Sequence, residues 1–215
     1  MKLNIKNYYK SLIYPQGKIH TQYLSFIKWS FATNYIISIQ TILGTHSMLS
    51  SVCEQKTELT VTVNYISKDI LGQIGGILLI NKYSKKIDKN TNNFIKYNIM
   101  PIQQLSIFTE CITPILPNNY FIPIASLANV GKNITFTGFA AINAIIIQKL
   151  SIDKDNIGEI YSKLTIVNTI STTLGMSTGL LIAGLIPDHH LRLLIMPILY
   201  LLRYYTYKKS IEGLI

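Results

Sequence analysis

The chain has 215 residues, of which 48% are apolar and only 14% charged, against roughly 25% charged in ordinary soluble domains. That length gives one domain or one compact membrane bundle, and a mean hydropathy of +0.29 implies more apolar surface than one small soluble core needs. The net charge of +10 suits an anionic membrane surface or nucleic acid, with a Lys-, Asn-, Ile- and Tyr-rich composition of the AT-rich coding type supplying part of it. Two cysteines, Cys53 and Cys111, form no disulfide framework and no metal spacing.

Residues 1–20 form a basic N-terminal segment, and no acid precedes Glu54. Without an apolar core and a small-residue cleavage site, the segment is not expected to be a secretory signal; a basic, acid-poor leader is compatible with an organelle address. Charge is then absent between Lys28 and Glu54, between Glu110 and Lys132, and between Lys163 and Asp188. An apolar stretch of about 20 residues is long enough to cross a bilayer as a helix. In chain order the segments are 31–52 (long enough, but rich in Ser, Thr, Asn and Gln), 61–80, 100–116, 134–150 with an extension back toward 121, 164–186 as the best span, and 191–202. Turn-formers break the chain at Asn118-Asn119, at 153–156 and at Pro187-Asp188. Alternation is confined to 59–63, which equally opens a helix. The expected fold is therefore all-α, a compact bundle of about six mostly apolar helices in one domain spanning 21–215, embedded in a membrane.

Threading six spans with the N-terminus inside puts 16 of the 20 basic residues on the inner side, the asymmetry expected of short membrane loops. The lysine loop 82–96, with Tyr83, Phe94 and Tyr97, fits anionic lipid headgroups better than nucleic acid, since no nucleic-acid module surrounds it. Tyr204, Tyr205 and Tyr207 beside Lys208-Lys209 read as an interfacial aromatic belt with a basic anchor.

Small residues recur every fourth position at Ser171, Gly175, Gly179 and Ala183, a stripe that lets a neighbouring backbone approach closely. Gly72, Gly75 and Gly76, and Gly138 with Ala140 and Ala144, extend this helix-packing set. Lys68-Asp69 adjoins the first of these groups. Ionised groups in lipid are expensive and turn toward a partner or a wet cavity. Neighbours on a helix do not face each other, so each is expected to pair elsewhere, with Glu110, Lys132 or Lys163. Asn129 and Lys132, three apart, share a face, and Asn143 lies further along the same element. The expected polar centre is thus Lys68, Asp69, Asn129, Lys132 and Lys163, unless the helix starts near Ile70 and Lys68 snorkels at an interface. No enzyme signature is present: Gly72-Gln73-Ile74-Gly75-Gly76 lacks a dinucleotide spacing, His189-His190 lacks distant metal ligands, and no nucleophile elbow or paired carboxylates occur. No catalytic residue, metal or cofactor is expected.

Tyr23-Leu24 with Trp29, Leu43-Gly44-Thr45, Lys68 to Gly75, Lys85 to Asp88, Asn129 with Lys132, Gly138 to Ala144, Asn156 to Lys163 and Tyr205 to Ser210 together resemble the root UVB sensitive family in order and spacing. The resemblance implies organelle-associated membrane proteins, in mitochondrion, plastid or endoplasmic reticulum, that associate with one another and are tied in plants to vitamin B6 balance. It implies no defined reaction. It also implies charges that this chain lacks: an acid at Ser30, an acidic pair within 98–104, a basic residue at Asn143 and an acid around Val167-Asn168, with Phe139 in place of a second glycine. Two functions remain open. One is a transport-like or scaffolding membrane protein whose partners are the bilayer and another family member, not nucleic acid. The other is a peripheral or soluble helical protein that binds a partner or a vitamin B6-related small ligand.

Overall fold

The computed structural model describes residues 12–53, 58–87, 91–152 and 154–214. Most of the basic N-terminal segment, with Lys2, Lys6 and Lys10, lies outside these residues, as do Lys56, Lys89 and Asp153 and the side chains of Lys82, Lys85 and Lys86. Six long helices carry the described chain: α1 (Tyr23–Cys53), α2 (Glu58–Ile87), α3 (Met100–Ile112), α4 (Phe121–Leu150), α5 (Ile157–Leu185) and α6 (His189–Ile211). Among the described residues the only β-type pairing is an isolated bridge between Ile19 and Ser151.

Local chemistry sets the helix ends. The Asp188 side chain accepts the His190 backbone N–H (2.8 Å) and caps α6 directly after Pro187. Gly213, at φ +79°, supplies the left-handed turn that ends it. Ahead of α3 the helix widens into a π turn over Ile95–Ile99. Pro101 follows, and its ring crowds the carbonyl four residues back while offering no N–H.

Central to the bundle is α1, which runs along α5 and α6 and touches α3; α2 lies along α4, and α3 joins the two groups by packing on both α1 and α4. The Ser, Thr, Asn and Gln residues of 31–52, which weakened that stretch as a span, turn inward. Asn34 donates to Asn168 (2.6 Å), Thr33 to Thr206 (3.0 Å) and Gln40 to Gln104 (2.9 Å), while Tyr35 shares a hydrogen bond with Thr178 (2.9 Å). Central α1 is thereby hydrogen-bonded to α3, α5 and α6, the kind of polar attachment that joins helices where apolar burial offers little drive.

One end of the bundle gathers the basic segments. Besides the Ile19–Ser151 bridge, Asn156 donates to the Lys18 carbonyl (2.9 Å), the Gln16 N–H to Glu159 (2.8 Å) and Lys149 to the Leu214 carbonyl (2.8 Å). Lys96 and Lys208 line one cleft at this end. Lys209 donates to Glu212 (2.8 Å), which holds that carboxyl below its ordinary value. At the other end Met48 and Val52 of α1 pack on Phe121 and Ala125 of α4.

Apolar side chains stand on the surface as well as in the core, and several charged side chains are buried. Ile77 and Leu78 on α2, Leu181 and Leu185 on α5, and Leu194 and Leu201 on α6 are each at least 65% exposed, whereas Gln40, Lys68, Glu110, Arg192 and Arg203 are buried. Among the described residues two helices, α4 and α5, are long and apolar enough to cross a membrane.

Candidate functional site

The helix-packing residues sort by face. Ser171, Gly175, Gly179 and Ala183 are all buried and lie against α1. The Ser171 hydroxyl donates to the Phe31 carbonyl, and a Cβ on Gly175 would stand 2.5 Å from the Tyr35 carbonyl oxygen. Gly72, Gly75 and Gly76 on α2 meet Asn129, Val130 and Asn133 of α4, and Gly138 meets Ile99. Ala144 is different: it is exposed, beside Ala140, in a groove between α4 and α5. Ala144 is six positions on from Gly138, which at about 100° per residue turns them about 120° apart, so they cannot share a face.

Four of the five polar-centre residues stand on α2 and α4. The expectation that Lys68 and Asp69 pair elsewhere is corrected: Lys68 Nζ folds over to Asp69 Oδ1 at 2.5 Å. A long, flexible ammonium stem reaches a neighbouring carboxylate even though the two Cβ atoms diverge. Lys68 also lies 4.8 Å over the Tyr65 ring. Asn129, across the seam, donates to the same Asp69 oxygen (3.0 Å). The Lys68 side chain is 8% exposed and that of Asp69 51%, so the pair lies across the seam's edge, one partner inside and one out. Lys132 pairs with Glu110 of α3 at 2.5 Å, where the glutamate side chain is 3% exposed. Lys163 stands on α5, which packs on α1, away from the α2–α4 seam.

A second polar site, which sequence reasoning missed, lies among α1, α3, α4, α5 and α6. It is a cavity of about 330 Å³ whose polar wall includes Asn34, Gln103, Asn143, Asn168 and Arg203 and whose apolar wall includes Phe139. Arg203 is 2% exposed. Its Nη2 donates to Gln103 Oε1, its guanidinium lies 5.7 Å over the Phe139 ring, and its Nε and Nη1 are buried without a hydrogen-bond partner. The Tyr207 hydroxyl in the same wall is also buried and unpartnered. Tyr207 thus leaves the expected aromatic belt, packing instead on Phe139 at 5.7 Å between ring centroids, while Tyr205 stays exposed against Trp29. The sequence signal for Arg203 is its spacing from the other buried residues of α6: Arg192, Met196, Arg203, Tyr207 and Ser210 recur at intervals of four, seven, four and three and form one inward stripe.

Ser30, Asn143 and Asn168, three of the positions where a charge was expected from the family resemblance, line this same cavity. Its mouth opens between α4 and α5, since Phe136, Phe139, Asn143, Ile147 and Tyr161 also line the Ala140–Ala144 groove.

A family model described as a vitamin B6 photo-protection and homoeostasis domain matches residues 4–214. Protein root UVB sensitive 4 of Arabidopsis thaliana is 26% identical over 179 residues, covering 82% of this chain and 34% of that protein. Protein root UVB sensitive 3 of the same plant is 24% identical over 171 residues, covering 78% and 38%. A RUS family member from Dictyostelium discoideum is 21% identical over 179 residues, covering 82% and 33%. The chain spans about a third of the length of these curated relatives. No solved structure matches it.

Proposed function

The chain belongs to the root UVB sensitive family, and we propose that it is a membrane-embedded helical bundle of an organelle with a transport-like role toward a small polar solute. The observation that carries this reading is the burial of charged groups in a bundle that also exposes large apolar side chains. Exposed Leu and Ile side chains stand on the outer faces of α2, α5 and α6, on α5 beside a row of exposed hydroxyls from Ser162 to Ser177 that bond their own helix, while carboxylate, ammonium, guanidinium and amide groups are buried inside. Large apolar side chains exposed in that number ask for a partner or a bilayer, and ionisable groups buried in a membrane bundle mark a functional site. The basic end, near Lys18, Lys149 and Lys208, suits an anionic leaflet. The family's description as a vitamin B6 domain makes a pyridine-ring solute the first class to test.

Alkaline carbonate extraction of the tagged chain from isolated membranes tests insertion. Retention in the pellet is the expected result. Release into the supernatant overturns insertion and favours the soluble, ligand-binding alternative, which draws on the fact that α4 and α5 alone among the described helices meet the length and hydropathy needed to span.

A further inference from the structure

We propose that the Arg203 cavity binds a small ring-bearing organic anion, a phosphate monoester or a carboxylate, with Arg203 reading its charge. The proposal rests on the reading of the bundle as a small-solute protein and names the class of solute. Three observations carry it. First, Arg203 is wholly inside and the described cavity wall holds no carboxylate; its one polar partner is the neutral Gln103. Guanidinium is a permanent cation with five donors and no acceptor, and here Nε and Nη1 are unspent. An anion in the cavity supplies the acceptor and the countercharge together.

Second, the remaining wall divides as a ring-bearing ligand requires. Phe26, Phe136, Phe139 and Leu164 offer apolar faces, while Asn143 and the groups that the Asn34–Asn168 bond leaves over, the Asn34 carbonyl oxygen and the Asn168 amide nitrogen, suit hydroxyls and a ring nitrogen. A volume of about 330 Å³ lies at the small end of the range for ligand pockets. Third, the mouth between α4 and α5 gives a route in, because the cavity shares five lining residues with the outer groove.

The other buried arginine shows that burial alone does not leave a guanidinium unspent. Arg192 donates from Nε to the Ile186 carbonyl (2.7 Å), from Nη2 to the Ala183 carbonyl (2.7 Å), and bonds His46 through Nη1 (2.9 Å). It is used up in closing the C-terminal end of α5. Arg203 has no equivalent structural employment.

The test is calorimetric titration of the whole chain in lipid nanodiscs with ligands that share one ring and differ in charge: pyridoxine, pyridoxine 5′-phosphate and 4-pyridoxate. None has an aldehyde, so imines with surface lysines do not confuse the readout. Inorganic phosphate and benzoate are the ring-free and pyridine-free controls. The expected result is at least tenfold tighter binding of an anionic form than of pyridoxine, the range of one charge-assisted hydrogen bond. Arg203→Gln is expected to remove that preference, and Arg203→Lys to keep part of it. Asn143→Leu, which narrows the mouth without touching Arg203, is expected to weaken both forms and serves if Arg203→Gln does not fold.

If pyridoxine binds as tightly as its phosphate, or the preference survives Arg203→Gln in folded protein, the anion proposal is overturned while the vitamin B6 reading stands. If benzoate binds in an Arg203-dependent way and no pyridine ligand does, the proposal stands and the vitamin B6 reading falls; if inorganic phosphate alone binds, the ring-bearing ligand is overturned. No binding of any anion overturns the proposal.

Discussion

At the scale of single residues, the Glu110–Lys132 pair is the clearest case of charge held by geometry. Glu110 sits behind Gly44, where a Cβ would approach its Oε2 to 2.9 Å, and Lys132 reaches it from α4 at 2.5 Å. Removing one partner strands the other, which costs about 3–5 kcal/mol for a fully buried pair. Lys132 is 23% exposed, so water returns part of this, and about 2–3 kcal/mol is a fairer expectation. Lys132→Met is therefore expected to lower Tm by roughly 5–10 °C at this chain length. Lys132→Met combined with Glu110→Gln is expected to recover most of the loss, since the paired neutral groups leave no naked carboxylate. Thermal unfolding of the three variants in one detergent checks it, and an additive double variant would show that the pair is not coupled. The sequence made Glu110 and Lys132 visible as rare charges at the ends of long neutral stretches. It did not say that they chose each other, because the partner of a charge depends on which helices touch.

At the scale of helices, the segments and breaks were readable, as was the α5 stripe, because hydropathy runs and turn residues act locally. Side-chain destinations were not. The Ser, Thr and Asn residues of 31–52 argued against a span and proved to be the inner face of the central helix. Ala144 has the spacing of a packing residue yet faces outward, because a four-residue repeat fixes a stripe and not the direction it faces. Nearness in sequence puts Arg203 with the basic pair Lys208-Lys209, whereas helical phase places it on the buried side. The α1–α5 contact gives a sharp test of the stripe. A methyl on Gly175 would meet the backbone oxygen of Tyr35 at 2.5 Å, whereas one on Gly184 meets nothing within 4 Å. Backbone cannot step aside as a side chain does, so Gly175→Ala is expected to force α1 from α5 and lower Tm. Gly184→Ala is expected to raise it slightly, because Ala is favoured over Gly in a helix by roughly 0.5–1 kcal/mol. If both variants melt like the parent, the helices are not in contact along this stripe.

At the scale of the whole molecule, the charge map from sequence and the fold meet. Threading by lysine position required the N-terminal segment, the α2–α3 connection, the α4–α5 connection and the C-terminus to share one side. The contacts among Ile19, Ser151, Lys149 and Leu214, and the shared cleft of Lys96 and Lys208, bring those four segments to one end. Nothing in the threading specified these contacts, so the agreement joins two separate lines of reasoning. It makes a definite prediction for a bundle crossing a bilayer about 30 Å thick. With Cys53 and Cys111 replaced by alanine, single cysteines at Asp155 and Lys208 are expected to react with a membrane-impermeant maleimide from one side of sealed vesicles. Cysteines at Asn119 and His190 are expected to react only from the other. All four native side chains are exposed, so reactivity reports the side and not burial. Labelling of all four from the same side would mean that the bundle lies on the membrane or off it. The Arg203 mouth would then open to water rather than between lipid-facing helices.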